Sequence, residues 1–179
     1  MNAEHTLAKH VLETAIAEFN GVKSLGDRAM AQLDASGMFW TPEPESNSIA
    51  VIVKHMAGNM ISRWTDFLTS DGEKTDRNRD EEFVDDIADT DTLKALWEKG
   101  WAVVFEALNG LQPEDLLRTV TIRGKAHTVL QAIDRQISHY SYHAGQIVYA
   151  AKANKSAEWQ TLSIPKGGSD KFNEKMKVR

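Results

Sequence analysis

Residues 128–151 read TVLQAIDRQISHYSYHAGQIVYAA and carry the clearest helical pattern of the chain. Thr128 and Gln131 have the spacing of a capping box, in which two side chains satisfy free backbone amides at a helix start. Beyond this cap, apolar residues recur on one face at helical spacing: Val129, Ile133, Ile137, Tyr140, Ala144, Ile147 and Ala151. We therefore predict a helix from this cap to about Asn154.

Two histidines of this helix, His139 and His143, are four residues apart and so lie on the same face. Two imidazoles in this arrangement can bind one metal ion, with nitrogens about 2.0–2.1 Å from a zinc ion. Small or amide residues flank them and leave room for a cavity: Ala132, Gln136 and Ala150. For the pair alone, ordinary helical histidines are an equally good interpretation.

The rest of the chain predicts an all-α fold with four helices. The three earlier helices cover about residues 3–33, 47/48–68 and 90/92–109, and the last is the helix described above. Residues 113–117 predict a short helical turn, and residues 119–125 predict a small hairpin before the last helix. Helices of this length with little strand character favour a four-helix bundle. The connection between helices two and three is long, at about 20 residues. We expect one domain over residues 1–158 and an extended tail over residues 159–179.

The second predicted helix is apolar around most of its circumference. A helix of this kind requires burial on more than one side, and a second subunit could provide it, so we expect a homodimer. The remaining narrow strip is polar and contains His55, Asn59, Ser62 and Asp66. This strip is either part of a site or exposed to solvent, and periodicity does not distinguish the two.

Composition excludes several classes of protein. The 179 residues contain no cysteine, so disulfides, thiolate metal sites and cysteine nucleophiles are excluded. We find neither a signal-peptide pattern nor a segment of about 20 apolar residues, and therefore expect a cytoplasmic protein without membrane contact. The net charge is −5. The sequence has no basic stripe of the kind that binds nucleic acids, so we expect no nucleic-acid partner. The acidic segment from Asp71 to Asp91 predicts a solvated surface.

The other histidines are weaker candidates for metal ligands. His10 points away from the apolar side of the first predicted helix, and we expect it to be exposed. His127 precedes the Thr128 cap and belongs to the predicted turn. His5 lies near the edge of the apolar face, so it remains a possible ligand.

Several segments together resemble the DinB-like (YfiT-like) superfamily of metal-binding four-helix bundles, and an uncharacterised subfamily within it. The matching segments are residues 46–60, 63–74, 121–131, 139–147 and 162–165. The resemblance implies a dimer and a divalent metal held by His55, His139 and His143. Nickel or zinc would be the usual ion, with iron or manganese also possible.

The resemblance also implies an activity, because characterised relatives include transferases and isomerases that use low-molecular-weight thiols. We therefore expect a metal-dependent thiol S-transferase acting on small electrophiles. Asn59, Gln136 or Gln146 could support the ligands, and Arg63 or Arg135 could meet an anionic cosubstrate, although surface positions are the simpler interpretation for all five. The alternatives are a non-catalytic metal-binding protein for stress response or interaction, and a metal-dependent hydrolase.

Overall fold

The computed structural model describes residues 3–177, which are about two-thirds helical and include one small two-stranded sheet. The helices are α1 (Ala3–Met30), α2 (Ala35–Met38), α3 (Ile49–Trp64), α4 (Thr90–Gly110), α5 (Val129–Lys155) and α6 (Ser169–Lys177). The strands are β1 (Thr119–Ile122) and β2 (Lys125–Thr128). The four long helices α1, α3, α4 and α5 are the four predicted from the sequence.

Side-chain caps determine where three of these helices begin. Thr128 and Gln131 form the predicted capping box at α5, each accepting a hydrogen bond from the other's backbone amide. Ser48 caps α3 by accepting from the amide of Val51, and Asp89 caps α4. The predicted starts of the second, third and fourth helices are therefore confirmed.

The core is formed by α3 packed mainly against α4, and α1 packed mainly against α5. Four buried aromatic residues meet at its centre. Phe19 of α1 has ring-centroid distances of 5.7 Å to Trp64 of α3 and 5.9 Å to Tyr140 of α5. Trp101 of α4 lies 5.8 Å from Tyr140. These contacts bring α3 and α5, which carry the candidate metal ligands, against the same core.

The hairpin is tied to the connection between α3 and α4. Arg123 and Gly124 form its two-residue turn with positive φ values of 56° and 70°, as a tight hairpin turn requires. The carboxylate of Asp71 accepts hydrogen bonds from both turn amides at 2.8 Å. The amide of Gly72 donates to the carbonyl of Thr121 in β1. The connection therefore follows a defined path over the molecule.

Two helix ends, the tail and one short helix differ from the sequence predictions. Helix α1 ends at Met30, and α3 ends at Trp64 because the chain leaves helical geometry at Thr65 and turns at Asp66 with a φ of 49°. The prediction of an extended tail is wrong for Ser169–Lys177, which form the exposed helix α6. The four-residue helix α2, capped by Asp34, was not predicted.

Helix α3 is buried on almost every side by this one chain, with 13 of its 16 residues buried. The connection after α3 packs against the polar strip of the helix, where Glu82 contacts His55 and the carbonyl of Gly72 accepts from Ser62. The apolar circumference of α3 therefore does not by itself require a dimer, and the homodimer stays a prediction. Across residues 3–177, none of the helices combines the length and apolar character needed to cross a membrane.

Candidate metal centre

His55 of α3 and the α5 pair, His139 and His143, meet in the structure as the sequence suggested. One nitrogen from each ring lies within 4.8 Å of the others, and the three could hold a metal ion. His55 and His143 are 5 % and 7 % exposed, and His139 is partly buried. The polar strip of α3 is therefore buried at His55, Asn59 and Ser62 rather than solvated.

The α5 pair tests whether these residues fit an ion. The Nε2 atoms of His139 and His143 are 3.2 Å apart. Two nitrogens bound tetrahedrally to one ion at about 2.0–2.1 Å would be separated by about 3.3 Å. The pair is thus spaced for chelation by two neutral imidazoles, and three such ligands leave further coordination positions open.

Hydrogen bonds at the opposite ring nitrogens orient two of the three imidazoles. Nδ1 of His55 lies 2.9 Å from a carboxylate oxygen of Glu82, and Nδ1 of His143 lies 2.7 Å from the side-chain oxygen of Gln146. Both oxygens only accept, so both Nδ1 atoms must donate. This leaves Nε2 as the atom that can bind a metal, which is the usual role of such outer partners.

Glu82 reaches His55 from the long connection and is itself firmly held. The guanidinium of Arg77 donates to both of its carboxylate oxygens, at 2.7 and 2.8 Å. Gly58 lies one turn after His55 on α3, and a Cβ there would clash with Glu82 Oε1. Burial by itself would raise the pKa of Glu82, but the hydrogen bonds from His55 and Arg77 outweigh it and lower the pKa. Glu82 is therefore an ionised orienting group.

The environment also keeps the α5 pair in the uncharged form. Burial lowers the pKa of His139 to about 3, and the neighbouring histidines and arginines add to the effect. Burial likewise lowers the pKa of His143 to about 4, although its hydrogen bond with Gln146 opposes the shift. Both imidazoles are neutral near pH 7, which is the state that binds metals.

A chain of buried hydrogen bonds lies beneath the histidines. The indole N–H of Trp64 donates to the hydroxyl of Tyr140, which in turn donates to the side-chain oxygen of Asn59, both at 3.1 Å. Asn59 is one turn from His55, and Tyr140 follows His139 directly. This chain of hydrogen bonds connects α3 and α5, the two helices that carry the ligands. The side-chain amide nitrogen of Asn59 takes no part in it.

A cavity of about 400 Å³ opens beside His55 and His139, and we call it the arginine cavity. Five arginines line it, and no Asp or Glu does: Arg63, Arg77, Arg79, Arg123 and Arg135. Gln136 also lines it, and the side-chain oxygen of this 3 % exposed residue has no hydrogen-bond partner within residues 3–177. A buried acceptor left in this state costs about 1–3 kcal/mol.

A second cavity, of about 520 Å³, lies on the other side of Tyr142, and we call it the aromatic cavity. Tyr142 lines both cavities, and its ring centroid is 4.1 Å from that of His143. Trp40 and Tyr149 contribute aromatic surface to the second cavity, and Gln146, the partner of His143, also lines it. His55 and His139 thus line a polar, cationic space, and Tyr142 and Gln146 connect His143 to a more apolar one.

The weaker histidine candidates lie elsewhere. His10 is exposed, as predicted. His127 is in β2, where its Nδ1 contacts the carbonyl of Lys125, and His5 pairs with Glu114 at 2.9 Å. The structure therefore does not bring His5 to the candidate metal centre.

The site includes groups that the sequence did not reveal. The acidic segment was expected to be a solvated surface, and this is wrong for Glu82 and Arg77, whose side chains are 8 % and 5 % exposed. No periodic pattern marks either residue, because both lie outside the long helices. Surface positions were also the simpler interpretation of Asn59, Gln136 and Arg63, and all three are buried.

Comparison with known proteins gives a family but no activity. No curated protein matches the chain, and no solved structure matches it. One family model, described as a protein of unknown function (DUF1572), matches residues 6–168. Because that match spans most of this chain, the chain belongs to the DUF1572 family of proteins of unknown function.

Proposed function

We propose that this chain is a DinB-like four-helix bundle that binds a divalent metal on His55, His139 and His143 and acts as a thiol-dependent S-transferase. The observation that carries the proposal is the convergence of three imidazoles from two helices beside an open cavity. A structural metal site would be closed by a fourth protein ligand, whereas an open one leaves room for a reactant. Nickel or zinc is the ion we expect.

Different residues of the chain would have different roles in such a reaction. His55, His139 and His143 would hold a divalent ion, which would supply the Lewis acidity to lower the pKa of a thiol cosubstrate. Glu82 and Gln146 hold the imidazoles in the orientation that presents Nε2. The arginine cavity beside His55 and His139, and the aromatic cavity reached past Tyr142, offer separate room for a thiol and for a small electrophile.

The cavity lining supports a transferase over a hydrolase. Metal-dependent hydrolysis commonly uses a carboxylate as general base within hydrogen-bond reach of the attacking water. No Asp or Glu lines the arginine cavity beside His139, and Glu82 is already engaged by Arg77 and His55. Glu45 lines the aromatic cavity, which none of the three histidines lines. A thiol nucleophile does not need such a base once its pKa has been lowered.

Elemental analysis of the untagged protein tests the metal site. We expect about one divalent ion per chain, with large losses in His55→Ala, His139→Ala and His143→Ala. His10→Ala is the matched control, since that histidine is exposed on α1 and outside the cluster. Full metal content in the three variants would show that the proposed ligands are wrong.

An activity screen tests the reaction separately. Metal-loaded protein is incubated with glutathione, bacillithiol or mycothiol and a panel of small electrophiles, and loss of free thiol is followed. We expect consumption that depends on the metal and disappears in His139→Ala. A metal-loaded protein that neither consumes nor binds any of these thiols would favour the non-catalytic alternative.

A further inference from the structure

The five arginines of the arginine cavity carry more positive charge than their carboxylate partners neutralise. Arg63, Arg77 and Arg123 all contact Glu73, with nitrogen–oxygen distances of 2.8, 3.3 and 3.1 Å. Glu82 is the only other carboxylate paired with any of the five arginines in residues 3–177, and it binds Arg77. Five guanidinium groups thus share two carboxylates, which leaves a surplus of three positive charges.

Two of the five arginines have no carboxylate partner within the part of the chain that the structure describes. Arg135 is exposed on α5, one turn before His139. Arg79 lies on the connection, with its guanidinium carbon 5.0 Å from the ring centroid of Phe83. That ring in turn stacks on His55 with a centroid distance of 4.7 Å. Both cations therefore border the cavity beside the candidate ligands.

A second and independent observation comes from Gln136. Its side-chain oxygen is buried at the cavity and has no donor among residues 3–177. An acceptor in this state is expected to have a partner that the protein itself does not supply. A ligand that fits this cavity therefore offers an O–H or N–H group as well as negative charge.

We propose that the arginine cavity binds the oxyanion group, phosphate or carboxylate, of a small molecule, through Arg79 and Arg135, with Gln136 accepting a hydrogen bond from the same molecule. Guanidinium groups suit this role because they bind such oxygens through paired, charge-assisted hydrogen bonds. The inference rests on the proposed function, because it specifies that the reactant beside the metal is an anion. The cavity itself requires no metal to bind an anion.

Isothermal titration with simple anions tests the inference without any assay of activity. The full-length protein is titrated with hydrogen phosphate, sulfate and succinate, both metal-loaded and after treatment with a chelator. We expect binding that persists without the metal and weakens with added salt, as exposed charges require. Tighter binding of phosphate than of succinate would identify the oxyanion as a phosphate group, and the reverse order would identify it as a carboxylate. Absence of measurable binding by all three anions would overturn the proposal.

Variants assign the binding to the named residues. Arg79→Gln and Arg135→Gln should each raise the Kd by about tenfold, the loss expected for one charge-assisted hydrogen bond. Lys152→Gln is the matched control, because Lys152 is an exposed cation on the same helix, far from the cavity. Equal effects of Arg135→Gln and Lys152→Gln would show a general charge effect and contradict the assignment.

The comparison of phosphate with sulfate isolates Gln136. Hydrogen phosphate and sulfate have similar shape and charge, but only the former carries an O–H that can donate to the Gln136 oxygen. We expect the wild-type protein to prefer phosphate and Gln136→Leu to lose that preference while still binding sulfate. A preference that survives in Gln136→Leu would contradict the role of Gln136. If anions bind the chelator-treated protein but no metal binds at all, the inference stands while the proposed function fails.

Discussion

Gly58 is the residue at which the orientation of the candidate metal centre depends on the absence of a side chain. The carboxylate of Glu82 lies against α3 in the space that a Cβ at this position would occupy. Glycine in a helix interior is unfavourable by up to about 1 kcal/mol relative to alanine. The local cost is therefore offset by the approach of Glu82 to His55.

Gly58→Ala should separate the stability of the helix from the orientation of its ligand. The new methyl group occupies the space of the Glu82 carboxylate and displaces it, so His55 loses its hydrogen-bond partner while α3 remains folded. We expect metal affinity to fall by about 10–100-fold, as for other losses of an outer-shell partner. Competition with a chromophoric chelator measures the affinity, and circular dichroism checks the fold.

Gly21→Ala is the matched control for this substitution. Gly21 also lies inside a long helix, α1, but a Cβ there meets no atom within 4 Å. The substitution Gly21→Ala should stabilise the protein by up to about 1 kcal/mol and leave metal affinity unchanged. Equal metal affinity in Gly58→Ala and the wild type would contradict the orienting role of Glu82.

At the scale of elements, the connection between α3 and α4 is positioned by its contact with the hairpin. The Asp71 carboxylate accepts three backbone hydrogen bonds, from the amides of Glu73, Arg123 and Gly124. These bonds stabilise the ionised form and lower the pKa of Asp71 to about 2. The ordinary value for an aspartate is about 3.9, so folding favours the ionised side chain.

This shift predicts a pH dependence of stability with a definite sign. Because the folded-state pKa is lowered, the stabilisation is present above about pH 4 and is lost as the pH falls toward 2. Asp71→Asn should lower the free energy of unfolding at pH 7 by about 1–2 kcal/mol, allowing for solvent screening. Urea denaturation measures the difference, which should shrink between pH 4 and pH 2.

Asp85→Asn provides the comparison, since Asp85 is an exposed carboxylate on the same connection. It accepts none of the three hydrogen bonds that hold Asp71. We expect the free energy of unfolding of Asp85→Asn to equal that of the wild-type protein at every pH. A pH-independent loss in Asp71→Asn would mean that the charge of Asp71 is not what stabilises the turn.

The elements also explain what the sequence could predict. Periodicity and the caps at Ser48 and Thr128 locate the long helices, since both depend on neighbours within one or two turns. The pairing of His139 with His143 is local in the same sense. The contacts of Glu82 and Arg77 with His55 are not local, because they depend on how the connection folds back over α3. No spacing rule encodes that path.

At the scale of the whole molecule, the three candidate ligands join α3 to α5. These helices are separated along the chain by the connection, α4 and the hairpin. An ion bound by His55 together with His139 and His143 would therefore link two distant parts of the chain. Binding of this kind couples to global stability, because the unfolded chain does not hold the three imidazoles together.

Metal should accordingly raise the melting temperature. At a free metal concentration of 100 times Kd the expected stabilisation is about 2.7 kcal/mol. Thermal unfolding with and without a chelator measures it, and in His139→Ala the difference should vanish. An unchanged Tm on removing the metal from the wild-type protein would exclude a link between α3 and α5 at this position.

The way in which the connection folds back has a consequence for protein engineering. Its length and acidity suggest a single permissive loop, yet tolerance to insertion depends on burial and hydrogen bonding. Extra residues between Arg77 and Glu82 would separate the two halves of a buried ion pair. Lys54 of α3 also pairs with Asp86, and the exposed residue 88 lies after that pair and before the Asp89 cap. A fluorescent label or fused domain therefore belongs at residue 88.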